Sequence, residues 1–219
     1  MTNDSWQKKF WWQWIAANSL AELLGLGTVA ILGFLVITQF GEPHGLVQSL
    51  GYAVLFIILG GLEGLVVGAA QARILRRRLP SLQGWVRATV IGAIVAWALG
   101  MMPSTIMSIN PPTTSETPPE ISEGLVLLLA AGLGFITGPI LALFQWFRLR
   151  KYVRHRAAWW LPANAVAWML GMPIIFIGAH MSSVITNPGI IAIGVAMSLF
   201  LAGAVVGAVH GRVLIWLLS

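Results

Sequence analysis

Two glutamates lie inside long apolar segments of this 219-residue chain, and they are the residues with the clearest potential for chemistry. Glu22 lies in the segment Trp14–Phe40, and Glu63 lies in the segment Leu46–Gln71. An acid in such a segment is costly unless it is paired, protonated or bound to a cation. Neither segment offers a lysine or arginine at the same depth. The pair is therefore a candidate site for an ion or a proton. The alternative is that each is a neutral carboxylic acid that hydrogen-bonds a backbone carbonyl of another helix.

These two segments belong to a set of six. The chain is 58% hydrophobic and 9% charged, whereas about 25% of the residues of a soluble domain are charged. A helix of roughly 20 apolar residues crosses the hydrocarbon core, and a lone segment in lipid satisfies its backbone only as a helix. The runs are continuous, which excludes a β-barrel. The sequence predicts an all-α polytopic membrane protein with spans near Trp14–Phe40, Leu46–Gln71, Trp85–Ser108, Ile121–Phe147, Trp159–Met181 and Gly189–Leu218.

The net charge of +6 comes from basic residues that lie on one side of these spans. All 13 basic residues fall at the N-terminus, in the second-to-third and fourth-to-fifth connections, or near the C-terminus, and the other three loops have none. The positive-inside rule therefore places both termini in the cytoplasm, and no nucleic-acid partner is needed to explain the charge. The outer loop 109–120, rich in Pro and Thr, is expected to be flexible. One interpretation of the basic loops is a topology signal alone. The alternative is that they also bind anionic lipid headgroups, through Arg76, Arg77, Arg78, Arg150, Lys151 and Arg154.

A repeated pattern divides the chain further. The first and fifth helices open with W-x2-A-N, at Trp14 to Asn18 and at Trp160 to Asn164, and the third helix opens more loosely from Trp85. The even helices share a face of small, polar and leucine residues at fixed offsets. The sequence predicts three parallel-oriented helical hairpins, at about 10–78, 79–156 and 157–219, as a pseudo-repeat. The even-helix motifs are Gly64-x3-Gly68-x2-Gln71-x3-Leu75, Gly138-x3-Ala142-x2-Gln145-x3-Leu149 and Gly203-x3-Gly207-x2-His210-x3-Leu214.

Polar residues recur at one depth in all three copies. Asn18, Thr89 and Asn164 lie about one turn into the odd helices, and Gln71, Gln145 and His210 lie at a comparable depth in the even helices. Such residues mostly form hydrogen bonds between helices. We assign that structural role to Thr89, Gln145, Asn164 and His210, and we count Asn18 and Gln71 with the acids as candidate ligands. Glu22 and Glu63 differ because they break the repeat. The positions that match Glu22 are Ala93 and Trp168, and those that match Glu63 are Thr137 and Ala202.

Other chemistry finds less support in the sequence. The chain has no cysteine and no motif of a hydrolase, a zinc protease or a P-loop enzyme, so no enzymatic activity and no metal site are predicted. The four histidines fall at different depths, which disfavours a bis-histidine haem. No cofactor is predicted, although the sequence leaves open the binding of a pigment that needs one axial ligand. Most tryptophans near the cytoplasmic helix ends are predicted to be interfacial anchors, namely Trp6, Trp11, Trp12, Trp14, Trp85, Trp146, Trp159, Trp160 and Trp216.

The combination of W-x2-A-N with G-x3-G-x2-Q-x3-L-R-R resembles a large group of Trp- and Gly-rich multi-pass membrane proteins of cyanobacteria and other bacteria. The resemblance implies a bacterial inner or thylakoid membrane and no activity. Two functions remain. The favoured one is an interaction or scaffold subunit, in which glycine faces and tryptophans bind a membrane-protein partner or a second copy of the chain. The alternative is a small permease or channel for an ion or proton-coupled solute that uses Glu22 and Glu63.

Overall fold

The computed structural model of the protein describes residues 3–110, 121–153 and 156–219, and within these ranges it is all-helical, without strands. A short 3-10 turn, Ala157–Trp159, precedes the fifth helix. All six helices are long and apolar enough to cross a membrane, which confirms the prediction of an all-helical chain with six such helices and supports an integral membrane protein. Their bounds are α1 Asn3–Phe40, α2 Gly45–Leu75, α3 Trp85–Ile109, α4 Glu123–Leu149, α5 Trp160–Val184 and α6 Pro188–Leu218.

The first helix is longer than the sequence prediction. It begins at Asn3 instead of Trp14 and has 38 residues. At 1.5 Å per residue it is about 57 Å long, which exceeds the roughly 30 Å hydrocarbon core. The extra turns carry the polar and basic residues that precede Trp14, because a helix continues into the aqueous boundary as long as nothing breaks it. The flexible loop predicted at 109–120 falls almost entirely outside the described residues.

The ends of the helices follow from local chemistry. Gly41 and Gly45 have φ values of +80° and +68° and form the turn between α1 and α2, a conformation that a side chain disfavours. Pro188 occupies the first turn of α6, and the Asn187 side chain accepts hydrogen bonds from the backbone N–H groups of the next residues. The Ser122 hydroxyl caps α4 in the same way by accepting from the N–H of Leu125.

The six helices form a closed ring. Each helix packs against its neighbours in sequence, and α1 packs against α6. The starts of the odd helices and the ends of the even helices therefore meet at one end of the ring, which we name the basic end because the described lysines and arginines lie there. A contact between the start of α1 and the end of α6 supports this, since the Arg212 guanidinium lies 4.1 Å from the centre of the Trp11 ring.

The glycines of the even-helix motif bring backbones into contact. A Cβ added at Gly203 would lie 2.7 Å from the carbonyl oxygen of Asn18, and one added at Gly138 would collide with the carbonyl of Asn164. Without a hydrophobic driving force in lipid, such close approach is a main source of helix association. The motif glycines therefore join each even helix to the next odd helix around the ring, as α2–α3, α4–α5 and α6–α1. Other glycines that bring backbones close in these three seams include Gly64, Gly68, Gly134 and Gly207.

Candidate functional site: the bundle interior

Three tryptophans fill the centre of the ring near the basic end. Trp14, Trp85 and Trp160 are at most 1% exposed. The centre of the Trp160 ring lies 6.5 Å from that of Trp14 and 6.0 Å from that of Trp85, and the His210 ring lies 5.2 Å from Trp160. We name these four residues the aromatic layer. The prediction that these three tryptophans are interfacial anchors is therefore wrong, because their side chains point inward and meet at the axis.

Each buried indole has a hydrogen-bond acceptor on an even helix. Trp14 Nε1 donates to His210 Nδ1 at 3.0 Å, and Trp85 Nε1 donates to Gln71 Oε1 at 3.1 Å. Trp160 Nε1 donates to Gln145 Oε1 at 2.9 Å. A buried indole N–H normally needs such a partner, so these bonds explain how the tryptophans tolerate burial. They also make His210 neutral, because the nitrogen that accepts from an indole carries no hydrogen.

The amide side chains connect two of these contacts, those of Trp85 and Trp160, into one network. Gln71 Nε2 donates to Asn18 Oδ1 at 2.9 Å. Gln145 Nε2 lies 2.9 Å from Thr89 Oγ1 and 3.1 Å from Gln71 Oε1 and donates to both. In the third copy, the described hydrogen bond of the Asn164 side chain is to the backbone carbonyl of Trp160, the same bond within a helix that Asn18 and Thr89 make to Trp14 and Trp85. The structure thus joins Asn18 to Gln71 and Thr89 to Gln145, and it adds a Gln71–Gln145 bond that sequence reasoning missed.

Sequence reasoning also missed the pairing of tryptophan with the polar residue of the preceding even helix. The signal was present, because Trp14, Trp85 and Trp160 stand at the start of the odd-helix pattern and Gln71, Gln145 and His210 recur in the even-helix motif. The bond between Trp14 and His210 joins residues 196 positions apart. Only the closure of the ring, which places α6 beside α1, makes that contact available.

Glu22 and Glu63 are both buried deeper in the bundle, at 2% and 7% exposure. Each lies eight residues, about 12 Å along its helix, farther from the basic end than Trp14 or Gln71. Glu63 Oε2 accepts a 2.6 Å hydrogen bond from Trp97 Nε1. Glu22 Oε2 is buried without a hydrogen-bond partner. The two acids therefore have different surroundings, one anchored to an indole and one with a free oxygen.

Both acids face a small polar cavity on the axis of the ring. Its volume of about 10 Å³ is roughly that needed by one water molecule. All six helices contribute to it, and none of the residues that line it is lysine or arginine. We name it the polar cavity; the residues that line it are Asn18, Glu22, Glu63, Gly64, Val67, Gln71, Thr89, Ala93, Leu141, Asn164, Trp168, Val206 and His210.

A larger cavity of about 270 Å³ begins where the polar cavity ends. Glu63, Ala93, Leu141 and Trp168 line both. The larger cavity continues away from the basic end along α3 as far as Met101, which is eight residues or about 12 Å beyond Ala93. We name it the apolar cavity, because most of its lining residues are apolar. Apart from the tryptophan indoles, its hydrogen-bonding side chains are those of Glu63 and Thr137.

The described histidines and acids do not assemble into a metal site. Within residues 3–110, 121–153 and 156–219, no group of three or more such side chains is placed to hold an ion. His180 Nε2 lies 3.4 Å from Glu123 Oε1 at the end of the bundle opposite the basic end, and both side chains are exposed. His44 is exposed in the turn before α2, and His155 lies outside the described residues.

The residues predicted to contact lipid headgroups are exposed at the basic end where the structure describes them. The Arg78 guanidinium lies 3.9 Å from the centre of the Trp6 ring, and the Arg150 guanidinium lies 4.9 Å from that of Trp146. Arg77 Nη1 donates to Gln13 Oε1 at 2.5 Å. Arg76 and Lys151 are also exposed, whereas Arg154 lies outside the described residues.

Comparison with protein-family models, with curated proteins and with solved structures finds no match for this chain.

Proposed function

We propose that the protein is a small permease that couples to protons or cations, with Glu22 and Glu63 as its ion-binding groups. The observation that supports this most directly is that two acids, far apart in sequence and without a lysine or arginine among the cavity's residues, face one cavity in the middle of a six-helix bundle. The function is non-enzymatic, and it corresponds to the alternative that the sequence left open.

The unsatisfied oxygen of Glu22 adds to this support. A buried polar atom without a hydrogen bond costs about 1–3 kcal/mol, and a purely structural acid would be expected to have found a partner. Glu22 Oε2 has none, although Ser19 and Asn18 lie one turn away on the same helix. A proton, a water molecule or a cation in the polar cavity would satisfy this oxygen, and ionisable groups in membrane segments typically mark such sites.

The pseudo-repeat supports the same assignment. We infer that the ring consists of three related two-helix units, since an indole-to-polar contact of one kind occurs three times at one level. At the positions that match the two acids, the other copies carry Ala93, Trp168, Thr137 and Ala202. A symmetric bundle would be sufficient for packing alone, so the acids of the first copy represent an addition that packing does not require.

The aromatic layer would be the barrier on the basic side of the site. Trp14, Trp85 and Trp160 close the axis between the polar cavity and the basic end, while the apolar cavity extends the interior in the other direction. We infer that the basic end is cytoplasmic, so this conformation would be closed to the cytoplasm. Transport would require the layer to part, which parallel repeats can achieve by tilting of one unit against another.

The scaffold function has lost part of its basis. Small size and sparse polar residues favoured it in the sequence, and its partner would be held by the glycine faces and the tryptophans. The motif glycines instead contact neighbouring helices of the same ring, as Gly138 and Gly203 do, and Trp14, Trp85 and Trp160 are buried. We nevertheless expect the exposed arginines of the basic end to bind anionic lipid headgroups, each contributing about 1 kcal/mol.

Flux measurements in liposomes test the permease. The wild-type chain and the Glu22→Gln/Glu63→Gln double variant are reconstituted, and internal pH is followed after a proton or cation gradient is applied. We expect flux above that of protein-free liposomes for the wild type and background flux for the double variant. Glu42→Gln is the matched control, because Glu42 is an exposed acid in the turn between α1 and α2. Equal background flux in the wild type and the double variant would refute the proposal.

A further inference from the structure

The apolar cavity has the dimensions of a binding site for an organic molecule. A cavity of about 150 Å³ accommodates benzene, so its volume of about 270 Å³ leaves room for a ligand with roughly two rings. Ligand sites are typically apolar pockets with a few well-placed polar groups. The contents of this cavity would be the substrate of the permease, so the substrate class rests on the permease function proposed above.

The walls of the cavity are aromatic and flexible. Trp97, Trp168 and Phe176 contribute ring faces or edges, and Met101 and Met172 contribute thioether side chains. Aromatic faces attract cations through their quadrupole, most strongly for tryptophan. Methionine side chains adjust to ligands of different shape. Such walls suit a molecule that is apolar over most of its surface and positively charged at one point.

Glu63 provides the charge that selects such a molecule. It is the acid among the residues that line the apolar cavity, which include no lysine, arginine or histidine. Its carboxyl is held in position by the 2.6 Å hydrogen bond from Trp97 Nε1. The Glu63 carboxylate would repel an anion. A neutral apolar ligand would leave this carboxylate without a counter-charge in a poorly hydrated interior.

An inorganic cation fits the apolar cavity poorly. Hard cations such as Mg²⁺ and Ca²⁺ need about six or more oxygen ligands. Besides Glu63, the only oxygen-bearing side chain in the lining is Thr137, whose hydroxyl donates its hydrogen to the Leu133 carbonyl at 2.9 Å. Aromatic rings can replace water around an organic ammonium ion, but they do not replace the hydration shell of a small metal ion.

We propose that the apolar cavity binds a hydrophobic organic cation, such as a quaternary ammonium or protonated amine with one or two rings, with Glu63 as its counter-charge. The ligand's rings would lie against Trp97 and Phe176, and its nitrogen would face Glu63, where the apolar cavity meets the polar cavity. When Glu63 is in its acid form, the arriving cation takes the place of the proton, which is released to solvent. One positive charge enters and one leaves, so the charge of the site is conserved and the exchange needs no further reactant.

Binding to the purified full-length chain in mild detergent tests this substrate class. The probe is benzyltrimethylammonium, which carries a permanent charge and one ring. Neopentylbenzene is its neutral isostere, and benzenesulfonate is an anion of similar size. Each is titrated by calorimetry against protein and against empty micelles. We expect saturable binding of the cation, and binding of the isostere and the anion that is weaker by about tenfold or more.

Three single substitutions separate the contributions to binding. Glu63→Gln should weaken binding of benzyltrimethylammonium by roughly 30-fold or more, because truncating one partner of a buried charge pair costs at least about 2 kcal/mol. Glu22→Gln should have a smaller effect, since Glu22 lines the polar cavity and is not among the residues that line the apolar cavity. Glu42→Gln, in the exposed turn, should bind like the wild type.

Gly100→Leu tests the location without touching either acid. Gly100 lines the apolar cavity, and a Cβ there would have no atom within 4 Å. A leucine side chain can therefore enter the cavity without displacing backbone, and it should abolish binding of the cation. Circular dichroism and gel filtration confirm that each variant is folded before titration.

The proton released on binding gives an independent readout. Titrations in phosphate and Tris, whose ionisation enthalpies differ, report how many protons leave per ligand, and we expect about one below the pH at which Glu63 ionises. Equal binding of the neutral isostere, or unchanged binding in both Glu63→Gln and Gly100→Leu, would overturn the inference. Proton flux that depends on the acids without binding of the organic cation would overturn the substrate class and leave the permease intact. Saturable binding that Glu63→Gln and Gly100→Leu abolish, without flux in the wild type, would support the site and overturn the permease.

Discussion

Replacing Gln145 by leucine is the sharpest test of the polar network. Gln145 is completely buried, its amide nitrogen donates to Gln71 and Thr89, and its oxygen accepts from Trp160 Nε1. Leucine has a similar volume, so the substitution removes three hydrogen bonds without opening a large cavity. The indole N–H of Trp160 loses its acceptor. The test therefore measures hydrogen bonding more than packing.

The expected magnitude follows from two independent estimates. Interhelical hydrogen bonds in membrane proteins contribute about 0.6 kcal/mol each on average, so three of them contribute roughly 2 kcal/mol. Alternatively, a buried donor left without a partner costs about 1–3 kcal/mol, and the stranded Trp160 N–H is such a donor. Both estimates lead to a decrease of about 2 kcal/mol in the free energy of unfolding for Gln145→Leu.

Unfolding in mixed micelles provides the assay. The fraction of sodium dodecyl sulfate is raised stepwise in mild detergent, and helicity and tryptophan fluorescence are followed in the forward and reverse directions. Gln39→Leu is the matched control, because Gln39 is exposed near the end of α1 opposite the basic end, and it should change stability by less than about 0.5 kcal/mol. If Gln145→Leu were no less stable than Gln39→Leu, the network would not stabilise the bundle as argued here.

Three further predictions concern packing, the buried acid and the orientation. Gly134→Ala should destabilise the bundle by about 1–3 kcal/mol through overpacking against the backbone of α5, whereas Gly132→Ala, with no atom within 4 Å of the added Cβ, should be neutral or stabilising in the same unfolding assay. Trp97→Phe should lower the free energy of unfolding by about 1 kcal/mol because the Glu63 carboxyl loses its indole donor. An unchanged unfolding midpoint would contradict the role of that hydrogen bond. Because the chain has no native cysteine, single cysteines at Ser81 and Glu42 report the topology: in right-side-out vesicles an impermeant maleimide should label only the cysteine at position 42, and labelling of position 81 instead would reverse the orientation.

The amino-acid sequence determined the class of protein and the number of helices. A helix in lipid satisfies its own backbone, so its existence depends only on the composition of about 20 consecutive residues. The prediction missed the extra N-terminal turns of α1 that begin at Asn3, because polar residues at the boundary do not carry the apolar signal. The sequence also singled out Glu22 and Glu63, since acids in apolar segments are conspicuous without any knowledge of packing.

The contacts between helices were decided by the tertiary structure. A glycine face predicts close approach of another helix but does not say which helix approaches. Likewise, tryptophan near a helix end is as consistent with the membrane interface as with the interior. Closure of the ring placed α6 against α1, which supplied Trp14 with an acceptor on His210, 196 residues away, and brought α6 residues into the lining of the polar cavity. Side-chain packing between segments that are distant in the chain determines such features, and no local pattern encodes them.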